Sequence, residues 1–186
     1  TINYTAGAVS GRSGAERSFS NWAPELSVSW KPADGYRHWV RASTGYAIPG
    51  FGNLLTNPFT GLAGTNFDLK PQKNLNVELG TESRLHKTLT VQLVGFVTFV
   101  KDEIISQVVS NTGGQAAINA DSSQYRGIEL FYDWRPLDGL RFSGAYTHID
   151  AKYINFSDRF LAGGIPTAFV RHGKVVPNVP TDTFNF

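Results

Sequence analysis

With 186 residues, of which 41% are hydrophobic and only 17% charged, the chain is long enough for one ordinary domain and poor in charge for a soluble one, where ~25% is usual. A formal charge of +2 is too small to argue for a nucleic-acid partner, and the lack of cysteine excludes disulfides, thiol catalysis and Cys-ligated metal centres. There is no methionine, not even at position 1, so the chain is expected to be part of a longer or processed protein. No run of ~18 apolar residues exists, which excludes a transmembrane helix but not a membrane-spanning barrel, whose strands meet lipid only at every second residue.

In chain order, the dominant hydrophobic period is two. Weak strand candidates cover residues 2–9, 24–31 and 36–46, the second with Leu26, Val28 and Trp30 on one face. The turn WKPADGYR joins the last two, and a long connection at about 47–72 follows. Residues 73–84 alternate strictly, with Leu75, Val77 and Leu79 on one face and Asn74, Asn76, Glu78 and Glu82 on the other. After the turn RLHKTL, residues 89–100 place Leu89, Val91, Leu93, Val97 and Phe99 opposite Thr90, Gln92 and Thr98. A second long connection is expected at about 103–122. Residues 124–134 place Ile128, Leu130, Tyr132 and Trp134 opposite Tyr125, Gly127, Glu129, Phe131 and Asp133. The turn WRPLDGLR leads into 140–148, a third long connection spans about 153–181, and an eighth strand begins near Thr183.

Short turns thus alternate with long connections, and the strands are expected to run the ~9–11 residues that cross a bilayer at a tilt. Aromatic residues gather near the strand ends: Trp30, Tyr36 and Trp134 by the short turns, Tyr46, Tyr146 and Tyr153 by the long ones. Such positions suit two interfacial girdles, although aromatics are also good strand formers. On the barrel reading, Leu75, Val77, Leu79, Trp30, Tyr36, Trp134 and Tyr146 face lipid or its boundary. Arg37, Arg41, Asn74, Asn76, Glu78, Glu82, Glu129, Asp133 and Arg141 then face a wet or plugged lumen. A soluble antiparallel sandwich with the opposite sidedness fits the same period.

Enzyme signatures are missing, and no catalytic residue or metal ligand is assigned. The four histidines, His38, His86, His148 and His172, lack metal-ligand spacing. Glu129 and Asp133 share a strand face but lie roughly 13 Å apart, too far for paired-acid chemistry. Partnership with arginines such as Arg126 or Arg141 is the expected role.

The run NFDLKPQKNLNVELGTESRL resembles the segment of TonB-dependent outer-membrane receptors in which a loop ends in a Leu-Lys-Pro-Glu-like motif before a Glu-hydrophobic-Gly strand. Leu69, Lys70, Pro71, Glu78, Leu79 and Gly80 match, while Gln72 stands where the family often has Glu. STGYAIPGF is similar to the family's Gly-Phe-Arg-Ala-Pro strand end through Gly45, Tyr46 and Pro49, with Ala47 and Ile48 departing from it. FVKDEI, the stretch from Tyr125 to Tyr153 and PNVPTDTFNF resemble later landmarks in the same order.

The resemblance implies an all-β, antiparallel transmembrane barrel, with about eight strands here out of 22, short periplasmic turns and long extracellular loops. Residues 1–186 would form a partial barrel domain without its plug. It further implies a Gram-negative outer membrane, contact with its lipid, a plug in the same protein and a TonB energy-coupling complex reached through an N-terminal part absent here. The function implied is active import of a scarce small molecule, a siderophore–metal chelate or a small redox cofactor, with no covalently bound cofactor. Tyr46, Phe51, Phe156, Arg159, Phe169, Arg171 and His172 supply the aromatic and basic groups of the long connections and are the candidate ligand contacts. A passive porin or structural barrel, and a soluble β-sandwich binding module, are the alternatives.

Overall fold

The computed structural model describes residues 2–6, 15–110, 113–162 and 165–186, with the side chains of 2–6, 15–16, 159–162 and 165–166 outside that description. Seven strands form one antiparallel sheet. They are β3 (Glu25–Trp30), β4 (Tyr36–Ala47), β5 (Gln72–His86), β6 (Leu89–Val108), β7 (Gln115–Leu137), β8 (Leu140–Asn155) and β11 (Asp182–Asn185). Their spatial order is β11-β8-β7-β6-β5-β4-β3, a meander in which sequence neighbours pair. Two hairpins stand apart from it, β1 (Ile2–Ala6) with β2 (Ala15–Phe19) and β9 (Ser157–Ala162) with β10 (Ile165–Val170). The strand expected over 2–9 therefore belongs to a separate hairpin, and the sheet holds seven of the eight expected strands.

The short turns fall where Asp-Gly and short polar runs lie. Gly35 and Gly139 close two of them with φ of +84° and +79°, a region closed to most side chains. Register then propagates the period of two across the whole sheet. One ladder row joins Val28, Val40, Leu79, Gly95 and Ile128, and the neighbouring row joins Ser27, Arg41, Glu78, Phe96 and Gly127. All seven residues expected at lipid or girdle positions share the first face, and all nine expected lumen residues share the second.

The first face is apolar and uncovered. Leu26 is 70% exposed, Leu79 64%, Ile128 47% and Trp134 44%. Aromatic contacts along it are lateral, Trp30 on His38 and Trp134 on Phe142 at 5.6 Å each, and Tyr146 stacked on Phe184 at 4.7 Å. Toward the long connections this face turns charged. Asp150 accepts bonds from Arg126 and Lys152, and Asp182 from Tyr146 and His148. Arg126, expected as a partner for the polar face, lies here instead: even-numbered residues of this part of β7 point to the apolar side.

The long connection expected at 103–122 is replaced by strand. β6 and β7 continue past the rest of the sheet and turn only at 109–114. This extension is covered on both sides. Ala117 and Ile104 pack against Phe19, Leu54 and Leu69, the last two from the 48–71 connection, which opens with the short helix α1 (Phe51–Leu54). Ala120, Ile105 and Ile118 pack against Tyr153, Phe156 and Val176. A strand buried on both faces has no polar side to alternate with, which is why its Ala-rich sequence shows no period of two. Asp102, with φ of 54°, interrupts β6 where the extension begins. Beyond it odd-numbered residues, beginning with Glu103, occupy the polar face.

Candidate functional site

The polar face is where the sheet gathers its hydrogen-bonding groups. Cross-strand register sets Arg37 opposite Glu82 and Arg41 opposite Glu78. The guanidinium of Arg37 reaches the Glu82 carboxylate at 3.2 Å, and Arg41 bridges Glu25 at 2.9 Å and Glu78 at 3.8 Å. Asn76 donates to Glu78 and accepts from the Thr98 hydroxyl at 2.7 Å. Nearer the short turns, Asp133 accepts from Arg141 Nε at 2.9 Å and Arg135 Nε at 3.1 Å. These pairs are half-exposed, so each adds little stability by itself. Their effect is to hold long side chains upright along the strands.

Two carboxylates on this face stand outside the ion pairs. Glu129 has no ion-pair partner among the described residues. Glu103 accepts hydrogen bonds from the Ser123 hydroxyl at 2.5 Å and from the Tyr125 phenol. It sits between two hollows. The larger, of ≈1070 Å³, runs along the sheet between Arg41, Asn76, Glu78, Trp39 and Glu129. The smaller, of ≈590 Å³, lies at the end of the extension between Ile105, Tyr153, Phe156, Arg171 and Val179. Glu103 and Tyr125 line both.

Among the candidate ligand contacts, Phe156 and Arg171 line the smaller hollow. Phe156 is only 4% exposed and packs on Tyr153 at 4.9 Å, so its ring belongs chiefly to the core beneath the hollow. Arg171 is engaged by Asp158 at 2.8 Å, and His172 is hydrogen-bonded to the carbonyl of Ile154. Phe169 lies exposed on β10, and Phe51 exposed on α1. Tyr46 is in the same alternation as Tyr36 and Val40 and so falls on the apolar face, away from both hollows. The Arg159 side chain lies outside the described residues. Tyr153, expected in the girdle, is buried on the polar side against Phe156, because β8 reaches the extension before it.

Sequence reasoning missed Trp39, Ser123, Tyr125 and Glu103 as members of the site. Trp39 lies flat over Gly80, where a Cβ would come within 2.0 Å of the indole, and takes the Arg37 guanidinium at 4.9 Å on its ring. This cross-strand Trp39–Gly80 pair leaves no periodic trace, since it sets a large apolar ring on a polar face. Tyr125 already stood on the polar side of the 124–134 alternation, and Ser123 could have been found by extending that alternation backwards.

A family model described as TonB dependent receptor-like, beta-barrel matches residues 2–186. Solved structures share the fold. The siderophore receptor PiuA from Acinetobacter baumannii superposes with a TM-score of 0.67 at 17% identity, over 98% of this chain and 26% of that one. The ferric-catecholate import receptor Fiu from K12 E. coli gives 0.64 at 19% identity, over 93% of this chain and 23% of that one. The ferric yersiniabactin uptake receptor FyuA from Yersinia pestis gives 0.58 at 23% identity, over 94% of this chain and 23% of that one. The chain thus spans about a quarter of the length of these receptors, whose names describe uptake rather than enzymatic catalysis. With residues 2–186 matched by the family's barrel model and its sheet laid out as a barrel wall, the chain belongs to the TonB-dependent receptors, as part of their β-barrel and not as an enzyme.

Proposed function

We propose that this chain is a stretch of the wall of an outer-membrane active-transport receptor of a Gram-negative bacterium. The receptor binds a scarce small solute outside the cell and imports it with energy supplied through TonB. The observation that supports this reading best is the two-faced sheet. Its apolar face is exposed over several strands, far more than a water-soluble surface tolerates, and no second sheet covers it among the described residues. Lipid satisfies that face. The open edges at β3 and β11 would be satisfied by further strands of a closed barrel. The polar face then lines the lumen and meets the plug, to which Glu129 offers a free carboxylate.

The ligand class follows the relatives only in outline: a metal chelate, with a small redox cofactor as the alternative cargo. The hollow at the end of the extension offers Tyr125 and Arg171 for stacking and charge-assisted hydrogen bonds. Uptake of radiolabelled iron supplied as catecholate and as hydroxamate chelates, in cells with and without the full-length gene, tests the proposal. Gene-dependent uptake abolished by a protonophore is expected. Gene-dependent entry that persists without energy would indicate a passive porin instead. In the same cells Glu129→Lys is expected to lower uptake severalfold by repelling basic groups of the plug; unchanged uptake would place Glu129 away from it.

A further inference from the structure

A third hollow, of ≈830 Å³, opens on the apolar side of the sheet, at the start of β5, where Lys70 of the 48–71 connection joins its lining. Its lower wall includes Leu75 and Phe99, cross-strand partners on β5 and β6. Directly above them stand Lys73 and Lys101, also cross-strand partners. Like charges set opposite each other on one sheet face repel. Neither lysine has an ion-pair partner among the described residues. A third cation, Lys70, lines the same hollow. Its backbone is clamped to the Asn119 side chain, N–H to Oδ1 at 2.8 Å and Nδ2–H to its carbonyl at 3.0 Å. The same Asn119 amide donates to the Asp102 carbonyl at 2.8 Å, so the left-handed turn at Asp102 and the position of Lys70 are fixed together. The carboxylates here are Asp102, 3.7 Å from Lys70, and Asp121 on the rim, which leaves the Lys73–Lys101 pair unneutralised.

We propose that this hollow binds a net-anionic, phosphate-bearing lipid of the outer leaflet. Its headgroup phosphate sits between Lys73, Lys101 and Lys70, and its acyl chain lies against Leu75 and Phe99. The height of the site decides the occupant. An aqueous anion needs no apolar floor, whereas a lipid needs both parts in this vertical order. The inference rests on the barrel reading, since it requires the apolar face to be in lipid.

The test uses the purified full-length receptor in detergent micelles, with bound lipid counted by native mass spectrometry during titration with phosphatidylglycerol, phosphatidylcholine or inorganic phosphate. Lys73→Gln/Lys101→Gln is expected to weaken phosphatidylglycerol binding by roughly tenfold or more, given the worth of each basic residue at an anionic lipid surface. Phosphatidylcholine retention should not change, inorganic phosphate should not compete, and Lys87→Gln, on the β5–β6 turn, should bind as the parent does. Unaltered phosphatidylglycerol affinity in the double variant would overturn the proposal. Competition by inorganic phosphate would also overturn it, by marking a site for free anions. A heat-modifiable gel shift on the same samples reads barrel closure separately; its absence in the parent protein would contradict the barrel reading rather than the lipid site.

Discussion

Glycine at position 80 shows how one residue positions the polar face. The Trp39 indole occupies the space a side chain there would need, and Arg37 lies over the same ring on its way to Glu82. Gly80→Ala must therefore displace Trp39 and is expected to cost about 1–3 kcal/mol as an overpacking change. Gly95→Ala, on the opposite face with open space around it, is expected to stay within about 0.5 kcal/mol. Urea unfolding of the two variants in the full-length receptor checks the contrast; equal effects would mean that Trp39 does not rest on Gly80. Legibility at this scale followed alternation. Arg37, Arg41, Asn76 and Glu78 could be placed on one face because their neighbours were apolar. Tyr46 could have been placed by the same parity, yet its aromatic character and its nearness to a long connection suggested a ligand contact. Phe156 gave the same impression and is a core residue, since sequence does not tell a buried loop aromatic from an exposed one.

Among the elements, the extension of β6 and β7 is the part that periodicity could not reveal. In the proposed barrel wall, lipid on one side and water on the other impose a period of two, and the parts of β4 to β8 below Asp102 show it. Above Asp102 both sides of the hairpin are covered by protein, so Ala116, Ala117 and Ala120 are buried without alternation and read as loop. The long connections are consequently folded covers with cores of their own. Phe156 joins the 156–181 connection to the extension through Tyr153, Ala120 and Val176. Phe156→Ala is expected to cost about 3–5 kcal/mol of local stability. Limited proteolysis of intact cells should then cut the 156–181 connection several times faster, while the heat-modifiable gel shift is retained. An unchanged cleavage rate would show that the cover is held by its hairpin and backbone bonds alone.

For the whole molecule, the decisive property is the division of one sheet into an apolar and a polar face. A soluble sandwich predicts that Leu75, Val77 and Leu79 are covered by a second layer. A barrel wall predicts that no second layer covers them, in keeping with the exposed Leu75 and Leu79 and the half-buried Val77 here, and that Asn74, Asn76 and Glu78 line an enclosed aqueous space. The absence of cysteine from this chain makes the distinction measurable. Single cysteines at positions 74 to 79 of the full-length receptor, spin-labelled in native outer membranes, report contact with lipid through oxygen and contact with water through a nickel chelate. For a barrel wall, oxygen accessibility is expected to peak at 75, 77 and 79, and nickel accessibility, where the plug leaves room, at 74, 76 and 78. Protection of 75, 77 and 79 from oxygen, with 74, 76 and 78 open to the nickel chelate, would contradict it and return the sheet to a soluble fold.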